Sequence, residues 1–263
     1  MMSVAVVVLT YNRVHLLRRC CEGVLARTSP STTEIIIWDN ASTDGTAHYL
    51  DSLVDRRVRV VHHPENIGQN AYAEAFKLAS ATHLVELDDD VVDAPAGWDE
   101  TLFSAFQRLP QIGFLAADLE DNPHDEASHV RHHVRPHLYR PAEENGIRLL
   151  YGPTGGGCAM TSREIYDLVG GFPQDKRRTF YLEDAAYIAR IESQGYRAAV
   201  MRDLRVTHAG GPYYAPFAPE KKAYWEEVER RVKRRHAVKR FLLALPFARQ
   251  LNARFRWFQE PTG

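Results

Sequence analysis

The chain has 263 residues, 44% hydrophobic and 25% charged, with a formal net charge of −1. These proportions suit a folded protein with one large domain or two intimate halves, and they exclude a disordered or fibrous chain. Cys20, Cys21 and Cys158 form neither an even set nor a CxxC frame, which argues against a disulfide scaffold or structural zinc and fits a reducing cytosol.

The first run, SVAVVVLT (3–10), resembles a secretory apolar core but has no basic flank and no small-residue cleavage site. It is expected to form a strand buried on both faces. No window approaches the roughly eighteen apolar residues that span a bilayer. Residues 14–27 then repeat apolar positions at helical spacing. TEIIIWDN (33–40) predicts a second strand, and STDGTAHYLDSLV opens with cap residues before a helix. RVRVVHHP (57–64) predicts a third strand, NAYAEAFKLAS (70–80) a helix and HLVELDDD (83–90) a fourth strand. Such alternation predicts an open, mostly parallel α/β sheet.

Ligands of these sheets sit beyond the carboxyl ends of the strands. The polar groups that end strands are Thr10 to Arg13, then Asp39, Asn40 and Ser42, then the Asn66–Gly68 turn, then Asp88, Asp89 and Asp90. All are expected at one edge. Three adjacent carboxylates repel one another, and a Mg²⁺ or Mn²⁺ ion shared with a diphosphate would offset that repulsion. Asp88 and Asp90 are expected on opposite faces of the strand, one serving the nucleotide and the other the metal.

The segment 118–146 is polar, and reads as a surface excursion or paired strands near the site. Its histidines (124, 129, 132, 133, 137) fall at no recognised ligand spacing with an acidic partner, so no metal site is assigned to them. Residues 151–172 predict a glycine cluster, a strand, and a helix closed by Gly170 and Gly171. Between Arg230 and Arg256 stand ten Lys/Arg and no Asp/Glu, leaving 23 basic against 34 acidic residues elsewhere. This tail is expected to be helical and to pack on its own domain or a second copy, or to meet an anionic membrane surface. No recognised nucleic-acid motif accompanies it.

VVVLTYNR, IIIWDNASTDGT, HPENIGQN, VELDDDV, GGGCAMTSREIYDLVGGF, FYLEDAAYIAR and VTHAGG follow one another in order. The ordered set resembles the family 2 inverting glycosyltransferases of the GT-A fold, over about residues 3 to 211. The resemblance implies that Thr10, Asn12, Arg13, Asp39, Ser42, Asn66, Asp88 and Asp89 line the nucleotide-sugar crevice, with Asp39 accepting the base imide N–H. It implies Asp88, Asp90 and His208 as metal ligands, Gly155, Gly156 and Gly157 where donor sugar meets acceptor, and Glu183 or Asp184 as the general base. Two positions depart from the family pattern: Ala186 stands where a second carboxylate is common, and Glu74 where Asn is usual.

The resemblance thus implies an inverting, metal-dependent transferase moving a sugar from a UDP- or dTDP-sugar to an acceptor hydroxyl on a saccharide, lipid-linked molecule or small molecule. Residues 1–118 would form the nucleotide-sugar half, 119–211 the acceptor and catalytic half of the same domain, and 212–263 a basic extension. The expected setting is cytoplasmic, with the tail a candidate for contact with the inner membrane face and homodimerisation an open alternative. Two other functions fit parts of the pattern. A metal-dependent phosphohydrolase would need more metal ligands for two ions, and a non-catalytic nucleotide-sugar module would not need the Glu183–Asp184 pair.

Overall fold

Strand β1 (Val4–Thr10) occupies an interior position of the sheet, with Val4 to Val8 fully buried. Each of the four valines among them contributes about 1.5–3 kcal/mol by leaving water. β2 (Glu34–Asp39) and β4 (His83–Asp88) flank β1 in parallel, and β3 (Val58–His62) continues the sheet beyond β2 to its edge. Because both faces are buried here, β1 and β2 read as unbroken apolar runs rather than alternations.

This computed structural model describes residues 3–121, 136–175 and 183–209, with the two further positions 230 and 234. The chain divides into two compact units, 1–217 and 218–263. Of the five histidines, only His137 lies within the described residues, and the basic tail lies outside them except at Arg230 and Arg234. Among the described residues no helix is long and apolar enough to cross a membrane.

Among the described residues ten strands form one sheet. Beyond β4 come β9 (Cys158–Ser162), β6 (Ile112–Asp121), β10 (Arg197–His208), β8 (Ile147–Tyr151) and β7 (Arg140–Glu144), while the short β5 (Val91–Asp93) pairs with the end of β10. β9 runs antiparallel between β4 and β6, whereas β6 and β10 are parallel. The sheet is therefore mostly parallel, as expected. The division at residue 118 falls inside β6, so both halves share this one sheet. Part of the polar excursion is indeed a strand pair: β7 and β8 form a hairpin across Asn145 and Gly146, both at positive φ (52° and 71°), as a type I′ turn requires.

The described helices are α1 (Val14–Gly23), α2 (Thr46–Asp51), α3 (Asn70–Leu78), α4 (Trp98–Gln107), α5 (Arg163–Leu168) and α6 (Glu183–Ser193). Phe76, Tyr166, Phe172 and Tyr187 pack α3, α5 and α6 together, with ring centroids 4.9–5.8 Å apart. Gly171 (φ 69°) turns the chain within this cluster, where a Cβ would lie 2.7 Å from the Tyr166 ring. Arg190 of α6 donates to the Gly171 carbonyl at 3.1 Å, so this arginine holds α6 to the turn after α5. The N-terminus of α6 is thereby placed at the carboxyl edge of β4.

Candidate active site

Thr10 and Asp39 end β1 and β2 in direct register. Asp39 is buried; its Oδ1 accepts the Ser42 amide at 3.0 Å, and its Oδ2 lies 3.2 Å from His62 Nδ1. Asn12, at φ 52°, donates its amide to Ser42 Oγ (2.9 Å) and accepts the Thr43 amide at its Oδ1 (2.6 Å). The loops after β1 and β2 are thus tied to each other. Asp44 Oδ2 accepts the Val14 amide at 2.9 Å, capping α1 from the neighbouring loop. Burial acts upward on Asp44, but the Thr46 hydroxyl and the Val14 and Thr46 amides hold its carboxyl below the usual range.

Asn66 uses its side-chain oxygen inside the turn, accepting from Asn40 Nδ2 and from the Gly68 amide, both at 2.9 Å. Asn40, which follows β2 and is expected from the sequence only as one of the polar groups at this edge, organises this turn, since it also accepts the Ile67 amide at 3.0 Å. Glu74 binds Lys77 (2.8 Å) and Gln174 (2.6 Å). The departure from the family pattern at this position is therefore spent on a surface link.

The acidic triplet divides its duties. Arg13, at the start of α1, donates to Asp89 Oδ1 at 2.8 Å and lies 3.5 Å from Asp90 Oδ2. Burial raises the Asp89 carboxyl to about 7 against the pull of Arg13, with Asp90 adding to the rise. Asp88 and Asp90 do not take opposite faces. Residues two apart on a strand share a face, β4 ends at Asp88, and both carboxylates join one cluster with His208 whose ligand atoms lie within 4.8 Å of one another. His208 arrives because β5 pairs with β10, placing its Nε2 3.2 Å from Asp90 Oδ1. Asp90 and His208 are buried, whereas Asp88 is partly exposed and accepts the Tyr72 hydroxyl at 3.1 Å. Burial and the neighbouring Asp90 push the Asp88 carboxyl up, opposed by His208, Arg13 and Tyr72. Two carboxylates and one imidazole form a donor set that suits Mg²⁺ or Mn²⁺, and a cation there would relieve their mutual repulsion. The residues fit the ion.

Across from this cluster lie the glycines. The Gly157 carbonyl accepts the Asp88 amide at 2.9 Å, and a Cβ on Gly157 would come within 3.4 Å of Asp88 Oδ2. A Cβ on Gly155 would come within 3.5 Å of Asp184 Oδ2, and the Gly156 amide donates to that same oxygen at 3.1 Å. Three consecutive glycines therefore join the metal cluster to the acid pair. Within the pair the two carboxyls differ. Glu183 is buried, whereas Asp184 is partly exposed at the first turn of α6 and also accepts the Ala185 amide at 2.6 Å. Ala186 is exposed, so the departure there removes nothing from the buried site.

One site carboxyl escaped the sequence reading. Glu86, on β4, is 2% exposed, and its carboxyl interacts with that of Glu183. Burial, then Glu183 and Asp184, push its carboxyl well above the usual range. The available signal was an acidic residue inside the apolar run HLVEL.

The family model for "Glycosyl transferase family 2" matches residues 5–170. The chain belongs to glycosyl transferase family 2. This family 2 chain is 27% identical over 224 residues to the O-antigen biosynthesis protein RfbC of Myxococcus xanthus, covering 78% of this chain and 17% of that protein. It spans 23% and 17% of the lengths of the two curated relatives it matches. Among solved structures it resembles the mannosyltransferase PcManGT from Pyrobaculum calidifontis in complex with GDP-Man and Mn²⁺. The TM-score is 0.56 at 23% identity, over 78% of this chain and 56% of that one. It also resembles S. aureus TarS 1–349 in complex with UDP, with a TM-score of 0.60 at 16% identity, over 80% and 61%. The family 2 chain thus has the GT-A glycosyltransferase fold that its motifs implied.

Proposed function

We propose that this chain transfers a sugar from a nucleotide diphosphate-sugar to an acceptor hydroxyl, with inversion and with a divalent metal. The observation that carries this reading is the glycine bridge. Residues 155–157 place the Asp88–Asp90–His208 cluster and the Asp184 carboxylate at opposite ends of one short turn. A donor diphosphate at one end and an acceptor hydroxyl at the other would bracket the anomeric carbon.

Asp88, Asp90 and His208 would hold Mg²⁺ or Mn²⁺, which when bound neutralises charge developing on the leaving diphosphate. Asp184 acts as the base. Its Oδ2 is aimed by the Gly156 amide and its Oδ1 by the Ala185 amide, so the carboxylate is oriented before an acceptor arrives. It takes the acceptor hydroxyl proton as that oxygen attacks, and inversion needs only this one carboxylate. Glu183, buried against Glu86, is a supporting residue in this scheme. Asp39 accepts the base N–H. A carboxylate only accepts hydrogen bonds, so it favours uracil, thymine or guanine over cytosine, whose ring N3 is itself an acceptor. The donors and nucleotides bound by structural neighbours include both GDP-Man and UDP; the motif pattern favours UDP or dTDP for this chain.

The test is incubation with UDP-, dTDP- and GDP-sugars and Mn²⁺, with anomeric configuration of the product read by NMR. Net retention of configuration overturns the single-base mechanism. Hydrolysis of the donor at its diphosphate, giving a nucleoside monophosphate and a sugar phosphate without glycosyl transfer, favours a phosphohydrolase.

A further inference from the structure

His62 ends the edge strand β3, opposite Asp39 in the parallel register with β2. Its imidazole spans two carboxylates: Nδ1 lies 3.2 Å from Asp39 Oδ2, and Nε2 lies 3.1 Å from Asp51 Oδ1 at the end of α2. The three differ sharply in exposure, with Asp39 at 3%, His62 at 40% and Asp51 at 70%. Ser42 holds the other Asp39 oxygen from the opposite side. The plane of the buried carboxylate is therefore set by two groups, one backbone amide and one titratable ring.

We infer that His62 is a positioning residue for nucleobase recognition: it bridges Asp39 to Asp51 and fixes the direction in which Asp39 presents its remaining lone pairs to the base N–H. This rests on the reading of Asp39 as the base-recognising carboxylate given above. The chemistry follows from the inventory of the ring. A doubly protonated imidazole donates to both carboxylates and supplies a counter-charge to the buried one. A neutral ring carries one N–H, so one nitrogen must turn a lone pair towards a carboxylate oxygen, and one of the two links is lost. Among the described residues, Asp39 from β2 and Asp51 from α2 are the charged groups facing the ring. Burial lowers its affinity for a proton, but these two partners outweigh burial and raise it above the ordinary value.

Nucleotide affinity should then fall as pH rises through the His62 titration. The experiment measures binding of UDP, GDP and CDP to the full chain in Mn²⁺, then follows the tightest binder across pH in four proteins. These are the wild type, His62→Gln, His62→Phe and Asp39→Ala, each checked for a cooperative melt. Gln can still donate to Asp39 but cannot titrate. We expect His62→Phe to weaken binding about tenfold or more at low pH. We expect His62→Gln to stay within a few-fold of wild type there and to lose the wild-type decline at high pH. Asp39→Ala should lose discrimination against CDP. If Asp39→Ala behaves so while both His62 variants bind with wild-type affinity and pH dependence, His62 is not a positioning residue and the reading of Asp39 stands. If Asp39→Ala binds like wild type, or if the wild type binds none of the three nucleotides, the reading of Asp39 fails and the proposal with it.

Discussion

The carboxyl of Glu86 occupies the space that a side chain at Gly156 would need. Gly156 in turn aims Asp184 through its amide, so a buried acid on β4 and the proposed base on α6 are linked through one glycine. Gly156→Ala should push the turn off Glu86 and disturb the hydrogen bond to Asp184. We expect transfer to fall by about a hundredfold or more, with nucleotide binding changed only a few-fold. Because the clash is specific to this pair, Glu86→Ala should suppress part of the Gly156→Ala defect. Additive losses in the double variant would show that the two residues act independently.

The acid pair makes a sharper test. Asp184→Asn keeps size and much of the hydrogen bonding but removes the base, so turnover should fall by about a thousandfold while donor affinity is nearly intact. Glu183→Gln, whose side chain faces Glu86, should retain most turnover. Single-turnover transfer rates together with donor Kd decide it, and the opposite pattern would exchange the two roles.

Metal dependence should be concentrated at Asp90 and His208, the buried members of the cluster. Asp90→Ala and His208→Ala should each weaken UDP binding about tenfold or more in Mn²⁺ and change it little in chelator. Calorimetric titration in both conditions measures this. Equal affinities for wild type and Asp90→Ala in Mn²⁺ would remove Asp90 from the ligand set.

The buried acids also predict how stability depends on pH. Burial raises the Glu86 and Asp89 carboxyls, and Glu183 shares the same direction. Each then binds more protons folded than unfolded between its ordinary value and its raised one. In that window stability decreases as pH increases, starting near the ordinary carboxylate range of about 4 to 4.5. Metal-free protein in chelator should therefore have a higher urea midpoint at about pH 5 than at about pH 7. Glu86→Gln, which cannot titrate, should flatten the slope. A midpoint that rises between these two pH values in the wild type would mean the three carboxyls are not the dominant titrating groups.

Much of the fold was legible because both-face burial writes itself as long apolar runs. SVAVVVLT and TEIIIWDN announced β1 and β2, and the polar residues that stop them announced the carboxyl edge of the sheet. The acidic triplet and the Glu183–Asp184 pair were visible as residue types in order. Their division of labour was not. Asp89 is taken by Arg13 and Asp90 joins His208 only because β5 folds back on the end of β10, a pairing between segments more than a hundred residues apart. Likewise, which member of the acid pair can meet an acceptor depends on how α6 is rotated, and that is set by Tyr187 and Ile191 packing into the core. Glu86 and His62 lie in runs whose local signal is simply strand, so their carboxylate partners could not be assigned from neighbours in the chain. Local sequence determined the strands and the chemistry available at their ends. Tertiary structure decided which charges face each other, because burial and cross-strand register bring together groups that sequence spacing keeps apart.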